Sequence, residues 1–423
     1  MTARPLAFAR TTCRLCGSSN LQKAIPLSPL PVASPNVGQS TLVRETAAAD
    51  AWQCRDCGHL QLATVVDPEF QYKNFQYVTG ISMGLRQHFE RLINRLAEQK
   101  EIGSGKFVVD IGSNDGSLLR YARERGARVL GIDPAQKIAE DATAAGIPTL
   151  AAFYTVDLGK EIARKHGRAD VVISNNTVAN IDDLNSLFAG IGEVLADNGL
   201  LIIESQYALD MLAKTLLDVI YHEHISYFST KPTQRFLAAQ GFELIGAERI
   251  APKGGSIRFI IQRQGGSRSV AAGVADLIEE EEQAGFYDGR LFDAFNSRIR
   301  LLGQSVRERL EESRKRTGRG LAYGASVGCA ALIHYFDLGR LIDAVFDDTP
   351  LTNVIRTSER DLPVLMGTQL VNEMPTDVAV LAWRYASPIA RGQQAFREAG
   401  GRFYRVLPDG AYVVGDEMTE PMA

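Results

Sequence analysis

The tightest constraint on this chain is the run Phe107-Val108-Val109-Asp110-Ile111-Gly112-Ser113-Asn114-Asp115-Gly116, followed at once by Ser117-Leu118-Leu119. A short apolar strand closes on a carboxylate, a glycine-rich turn follows, and a helical pattern begins at Leu118–Arg125. That succession belongs to layered α/β architectures. The flanking sequence keeps the same alternation. Met83–Gln99 reads as a helix, with Leu85, Phe89, Leu92, Ile93 and Leu96 on one face. After the glycine turn come a strand at Arg128–Ile132, a helix at Ala135–Ala145, a strand at Val171–Ser174, a helix at Asp183–Leu195 and a strand at Leu200–Glu204. Strand and helix alternating at this rate predict a parallel sheet covered on both faces. Phe242–Arg249 and Ser256–Arg263 read as two later strands, antiparallel, closing one edge.

With 423 residues the chain exceeds what one core usually serves, so further domains are expected. Ser269–Arg316 carries Glu279–Glu282 and many arginines without a strand-like run, and reads as a connector of charged helices. The α/β pattern then restarts: strand at Gly320–Tyr323, helix at Cys329–Phe336, strands at Leu341–Asp347 and Val378–Trp383, helix at Ile389–Glu398, strand at Phe403–Val406. The resulting division is a module over 1–75, a central α/β domain over 76–268, a helical connector over 269–316 and a second α/β domain over 317–423.

The glycine turn selects among ligands. A strand–turn–helix of this kind serves nucleotide-like molecules, because glycine lets the backbone approach closely. Gly112-Ser113-Asn114-Asp115-Gly116 is not the Gly-x-Gly-x-x-Gly of dinucleotide folds. S-adenosylmethionine (SAM) has no pyrophosphate and does not need that spacing. Asp110 can position its amino acid end, with Gly112, Asn114 and Gly116 shaping the loop. Asp133, closing the next strand in Gly131-Ile132-Asp133-Pro134, can accept from both ribose hydroxyls. Phe153, after the third strand, is either an adenine cover or core. Asn175 ends the fourth strand and either meets the amino acid end of SAM or forms a turn with Asn176.

Four of the five cysteines form two pairs, Cys13-x-x-Cys16 and Cys54-x-x-Cys57, each followed by glycine. Two such knuckles supply four thiolates to one tetrahedral Zn2+ with no open position, a structural site. The small first module needs that staple.

Tyr221-His222-Glu223-His224-Ile225-Ser226-Tyr227 concentrates two of the six histidines after the fifth strand, where substrates approach the cofactor in such a sheet. A histidine there can take a proton from carbon or oxygen, and tyrosine can donate to a developing oxyanion. A polar helix-entry loop with core aromatics is the alternative on spacing alone.

Taken together these parts resemble the three-domain SAM-dependent sugar C-methyltransferases. The resemblance covers nearly the whole chain and rests on the four-cysteine module, Asp110–Leu119, Tyr221–His224 and the second α/β unit. It implies a class I SAM methyltransferase Rossmann-like core between an N-terminal zinc module and a C-terminal Rossmann-like domain. It further implies C-methylation beside the ketone of a nucleotide-linked 4-keto-deoxysugar, through an enolate. His224 would be the base, Tyr221 and Glu223 its supports, and Tyr77 in Tyr77-Val78-Thr79-Gly80-Ile81-Ser82 a substrate contact.

The last domain departs from the family. Tyr323-Gly324-Ala325-Ser326-Val327-Gly328-Cys329 lacks the usual lysine, and Asp347–Val354 lacks the usual Lys and Gly. The nucleotide carrier therefore stays open, as do a non-sugar or oxygen acceptor and a non-catalytic scaffold binding SAM and zinc. The remaining expectations follow from composition. A net charge of −4 gives no footprint for nucleic acid, and no apolar run is long enough for a bilayer. Met1–Arg10 lacks the apolar stretch of a signal peptide, so a cytoplasmic enzyme, monomeric or weakly homo-oligomeric, is expected.

Overall fold

The computed structural model describes residues 6–32, 46–73, 75, 78–81, 83–350 and 352–413. Its centre is a seven-stranded sheet. The strands are β1 (Phe107–Ile111), β2 (Arg128–Asp133), β3 (Thr149–Ala151), β4 (Ala169–Asn175), β5 (Leu195–Gln206), β6 (Phe242–Ile250) and β7 (Ser256–Arg263). Their order is β3-β2-β1-β4-β5-β7-β6. The first five are parallel, β7 runs antiparallel to β5, and β6 at the edge pairs antiparallel with β7. β1 is buried at all five positions, as a continuous apolar run in a two-sided parallel sheet should be. Val109, Ile111 and Ile203 pack to one face and Val108, Ile173 and Ile202 to the other, so each face has its own core.

Pairing of Asp110 with Gly131 and with Ile173 brings the carboxyl ends of β1, β2 and β4 level. The order reverses at β1, between β2 and β4, and ligands of such sheets bind outside the strand ends at that point.

The helix over Met83–Glu98 covers one face and is fastened by buried charges. His88 Nε2 lies 2.7 Å from Glu204 Oε2, and Arg258 Nε 2.5 Å from Glu204 Oε1. These bonds hold the Glu204 carboxyl below its usual range although burial acts in the opposite direction.

β5 outruns its expected span because Ser205 and Gln206 pair on with Ile257 and Ser256. A helix over Val156–His166, capped by Thr155 Oγ1, escaped the sequence reading. The connector forms two helices, Gly273–Gln283 and Arg290–Thr317.

The C-terminal sheet contains β8 (Leu321–Tyr323), β9 (Ala344–Asp347), β10 (Val354–Arg356), β11 (Asp361–Met366), β12 (Asp377–Val380) and β13 (Arg402–Arg405), in the order β10-β11-β9-β8-β12-β13. Two expectations change here. The strand read through Trp383 stops at Val380, because the N–H groups of Leu381 and Ala382 turn back to Tyr323 O. The single helix over Ile389–Glu398 is two, Ala386–Gly392 and Gln394–Glu398, broken at Gln393 (φ −105°, ψ 43°). The β10–β11 hairpin was unforeseen.

The first module is not self-contained. Its sheet of Leu21–Ile25, Ala51–Cys54 and Leu60–Leu62 is completed by Ser226–Tyr227 from the central domain. One core joins Ile25 and Leu60 to Leu217, Phe292 and Leu332, so all parts of the chain share it.

Candidate cofactor pocket and active site

Among the described residues, the sequence-predicted cofactor residues converge on the β1–β4 crevice. Gly112 (φ +80°) could not carry a side chain, since a Cβ would lie 2.0 Å from Thr177 Oγ1. Gly116 (φ +71°) opens the Ser117–Glu124 helix. Asn114 itself sits at φ +48°. Its N–H donates to Asp133 Oδ2 at 2.9 Å, and its Oδ1 accepts from Thr79 N at 2.9 Å. Asp133 Oδ1 accepts from Ala135 N at 2.9 Å. The Asp133 carboxylate therefore fastens the glycine turn to its own strand end, while each oxygen keeps lone-pair capacity for a ligand. Burial raises its pKa against those two backbone bonds.

Asp110 is 3% exposed and its Oδ1 has no hydrogen-bond partner among the described residues. Burial, reinforced by the charge of Asp133, pushes its pKa up to about 8. Ser113 Oγ and both amide atoms of Asn175 are likewise buried without partners. Buried polar atoms in native proteins are nearly always paired, so this group is prepared for a polar ligand. An amine, a carboxylate and hydroxyls, the polar ends of SAM, match that donor and acceptor set. Phe153 is 38% exposed, so it is not core.

A pH dependence follows. With Asp110 as the partner of the α-ammonium in SAM's zwitterionic amino acid end, cofactor binding would favour the ionised form of a carboxyl whose pKa burial pushes up to about 8. Affinity is expected to strengthen as pH rises from 6.5 to 8.5, with proton release visible by calorimetry in buffers of different ionisation heat. Asp110→Asn should abolish that release and weaken SAM by roughly tenfold or more. It should also raise the melting temperature of the ligand-free protein at pH 8. A carboxyl whose folded pKa is raised destabilises the fold increasingly as pH climbs from about 4 to 8. Equal proton release by the variant would refute the assignment.

The second cluster lies at the end of β5. Tyr221–His224 is a tight turn closed by His224 N to Tyr221 O, not a helix entry. His224 is 5% exposed. Its Nδ1 is 2.8 Å from Val219 O, which can only accept, so the proton sits on Nδ1 and Nε2 carries the lone pair. Nε2 faces the Gln206 amide nitrogen at 3.3 Å, a donor–acceptor pair consistent with that tautomer. Burial, then the nearby Lys253 charge, depress the His224 pKa to about 3 against the Val219 bond. The Tyr221 ring lies 4.4 Å from the imidazole, and burial keeps its phenol protonated. Burial lifts Glu223 to about 7, with Lys253 opposing. His222 turns away and bonds Ala48 O at 3.2 Å. Tyr77 lies outside the described residues.

Gln206, Val219 and Lys253 escaped the sequence reading. Gln206 was within reach, because Ile202, Glu204 and Gln206 alternate onto one face. Val219 acts through its backbone, which no side-chain pattern reveals.

The four cysteine sulfurs lie within 4.8 Å of one another, with Cys13–Cys57 at 3.6 Å and Cys16–Cys54 at 3.5 Å. Thiolates around a tetrahedral zinc stand roughly 3.8 Å apart for Zn–S bonds near 2.3 Å, so the set fits Zn2+.

Comparison with known proteins agrees with this organisation. Residues 13–72 match a zinc binding domain, 84–247 a methyltransferase domain, and 251–408 a C-methyltransferase C-terminal domain. C-methyltransferase NovU of Streptomyces niveus is 29% identical over 401 residues, 94% of this chain and 95% of that protein. Among solved structures, magnesium protoporphyrin IX methyltransferase from Synechocystis PCC 6803 with bound SAH is 16% identical, over 43% of this chain and 84% of that one, at a TM-score of 0.34. A SAM-dependent methyltransferase from Archaeoglobus fulgidus is 16% identical over 42% and 94%, at 0.35. Likenesses this distant carry nothing further. No described helix is long and apolar enough to cross a membrane. With matches to a zinc binding domain, a methyltransferase domain and a C-methyltransferase C-terminal domain in one chain, the protein is a SAM-dependent methyltransferase that is similar over nearly its whole length to a C-methyltransferase.

Proposed function

We propose that this enzyme methylates a carbon beside a ketone, on a nucleotide-linked 4-keto-deoxysugar, with His224 as the base. The observation that carries the reading is the fixed tautomer of His224. Val219 O holds the Nδ1 proton, so the Nε2 lone pair points toward Gln206 at the carboxyl edge of β5. That is the same sheet edge at which Asp133 and Asn175 end their strands and Asp110 stands one residue before the end of its own.

Bound SAM supplies a methyl group on a sulfonium, an electrophile that needs no further activation. The chain must then generate a carbon nucleophile and hold it in line. Burial holds the His224 pKa down to about 3, so the imidazole is neutral and Nε2 would meet a substrate proton once the Gln206 amide gives way. Glu223 and the Tyr221 phenol border the same turn and would orient the substrate's oxygens. In the cofactor pocket Asp110 and Asn175 would hold the amino acid end, Asp133 the ribose hydroxyls, and Phe153 would cover the adenine. The relative's printed description as a C-methyltransferase supports carbon as the acceptor.

Incubation with a panel of nucleotide-linked 4-keto-6-deoxyhexoses and labelled SAM, followed by NMR of the product, tests the reading. A methyl carbon bonded to a ring carbon next to the ketone is expected. A methyl on oxygen, or turnover only of acceptors lacking a ketone, would refute it.

A further inference from the structure

A base as weak as His224 cannot ionise a carbon acid alone, because the electrons it releases need a positive partner. The connection between β6 and β7 supplies one. Pro252–Gly254 forms a single 3-10 turn in which Lys253 adopts φ 59°, ψ 21°, the left-handed conformation that non-glycine residues avoid. The turn is held there from several directions. Ser256 Oγ donates to Pro252 O at 2.9 Å, Arg384 Nη2 to Lys253 O at 3.0 Å, and Lys214 Nζ to Gly254 O at 3.3 Å. A Cβ on Gly255 would lie 2.7 Å from Asp210 Cβ, so the position that follows the turn is closed to any side chain. Strain of this kind persists only where the surroundings enforce it.

Arg384 ties this turn to the active-site segment: the same Nη2 that donates to Lys253 O also donates to Asp218 Oδ1 at 3.3 Å, and Asp218 precedes Val219, whose carbonyl anchors His224 at 2.8 Å. The Lys253 charge acts on Glu223 and His224. Two other cations stand at this turn and both are committed, Lys214 to Asp210 at 2.9 Å and Arg384 to Asp218, which also accepts from Trp383 Nε1 at 3.1 Å. Among the described residues none donates to or accepts from the Lys253 ammonium. Burial lowers its pKa to about 8, with Glu223 opposing and Arg384 assisting, so it remains mostly protonated near neutrality.

We propose that the Lys253 ammonium is a catalytic electrophile, receiving the developing oxyanion of the substrate ketone while His224 Nε2 takes the proton from the adjacent carbon. The inference rests on the enolate reading given above. In the step, the C–H bond breaks and its proton goes to Nε2. Its electron pair forms the C=C bond, and the carbonyl π pair moves onto oxygen, where an N–H of Lys253 receives it. Methyl transfer then forms the new C–C bond from the enolate, the C–S electrons stay on sulfur as a neutral thioether, and the ketone re-forms. The imidazolium returns its proton to water.

The test separates proton removal from methyl transfer. The keto-sugar from the panel that wild type methylates is incubated in deuterated water with S-adenosylhomocysteine in place of SAM. Deuterium at the carbon next to the ketone is followed by NMR. Lys253→Met is expected to exchange about 100-fold more slowly, with S-adenosylhomocysteine affinity and melting temperature unchanged. Lys253→Arg, which keeps the charge, should recover most of that loss. Exchange by Lys253→Met within about threefold of wild type, while His224→Ala is silent, overturns the role of Lys253 and leaves the base standing. A raised KM with unchanged kcat in Lys253→Met also overturns it, since that lysine would then only bind the ground state. Wild-type protein that methylates without ever exchanging the proton overturns the enolate reading itself, and Lys253 with it.

Discussion

His224→Ala is expected to lower kcat by about 10³-fold while leaving SAM affinity unchanged, read by steady-state kinetics and calorimetry on one preparation. The separation follows from placement. The cofactor pocket is built on β1, β2 and β4, whereas His224 hangs from Val219 O beside the end of β5. His224→Gln is the more informative companion, because an amide can keep a hydrogen bond to Val219 O yet cannot take a proton from carbon. Comparable losses in the two variants would assign the effect to proton transfer. Activity restored in the glutamine variant would assign it to packing. The buried imidazole also carries a stability signature. Its folded pKa, about 3, lies below its ordinary 6.5, so the unfolded chain takes up a proton between those values and the folded chain does not. Stability is therefore lost as pH falls below about 6.5, and His224→Gln should lessen that loss in acid unfolding curves.

Stripping the zinc, or replacing Cys57 by serine, is expected to abolish turnover, although no cysteine lies in the active site. Structural zinc sites contribute on the order of 10 kcal/mol to the modules they close. Here the module's sheet takes Ser226–Tyr227 as its last strand, immediately after His224. Arg14, inside the first cysteine knuckle and 1% exposed, donates to Ile225 O at 2.8 Å and reaches Asp182 Oδ1 at 2.9 Å. His222 is tied to Ala48 O. Loss of the metal should free the whole Tyr221–Tyr227 segment from its frame, while the β1–β4 pocket keeps the core on its other face, where Val108, Ile173 and Ile202 pack with no residue of the module. The expected pattern is a lowered melting temperature, lost activity and SAM binding retained within a few-fold. Metal removal by a mercurial with chelator, followed by zinc repletion, checks it. Full turnover by zinc-free protein would show that the module does not frame the catalytic turn. Acid should favour metal loss, since thiolates must be protonated on release.

The two halves of the site differed in how far residues alone could disclose them. The cofactor pocket is local. Asp110, Gly112, Asn114 and Gly116 lie within one strand–turn–helix, and Asp133 closes the next strand, so their spacing stated both fold and ligand. What spacing missed was the tie between Asn114 N and Asp133, because a backbone donor leaves no trace in composition. The turn proposed as catalytic is assembled from distant pieces. Tyr221–His224 was visible as a cluster, but its anchor is a carbonyl and its neighbour Gln206 comes from β5. In the C-terminal domain, apolar pattern located four of the six strands. It overran at Trp383, where return of the chain to Tyr323 O ends the strand.

By itself the sequence determined the parallel sheet, the SAM-type turn and the zinc set, because each depends on residue types a few positions apart whose geometry the backbone dictates. Only the tertiary structure decided which nitrogen of His224 carries the proton, that Lys253 sits in a strained turn tied through Arg384 to Asp218, and that the zinc module frames the Tyr221–Tyr227 segment. Those outcomes depend on burial and on contacts between residues far apart in the chain, and burial sets both the charge of an ionisable group and the direction in which its proton points.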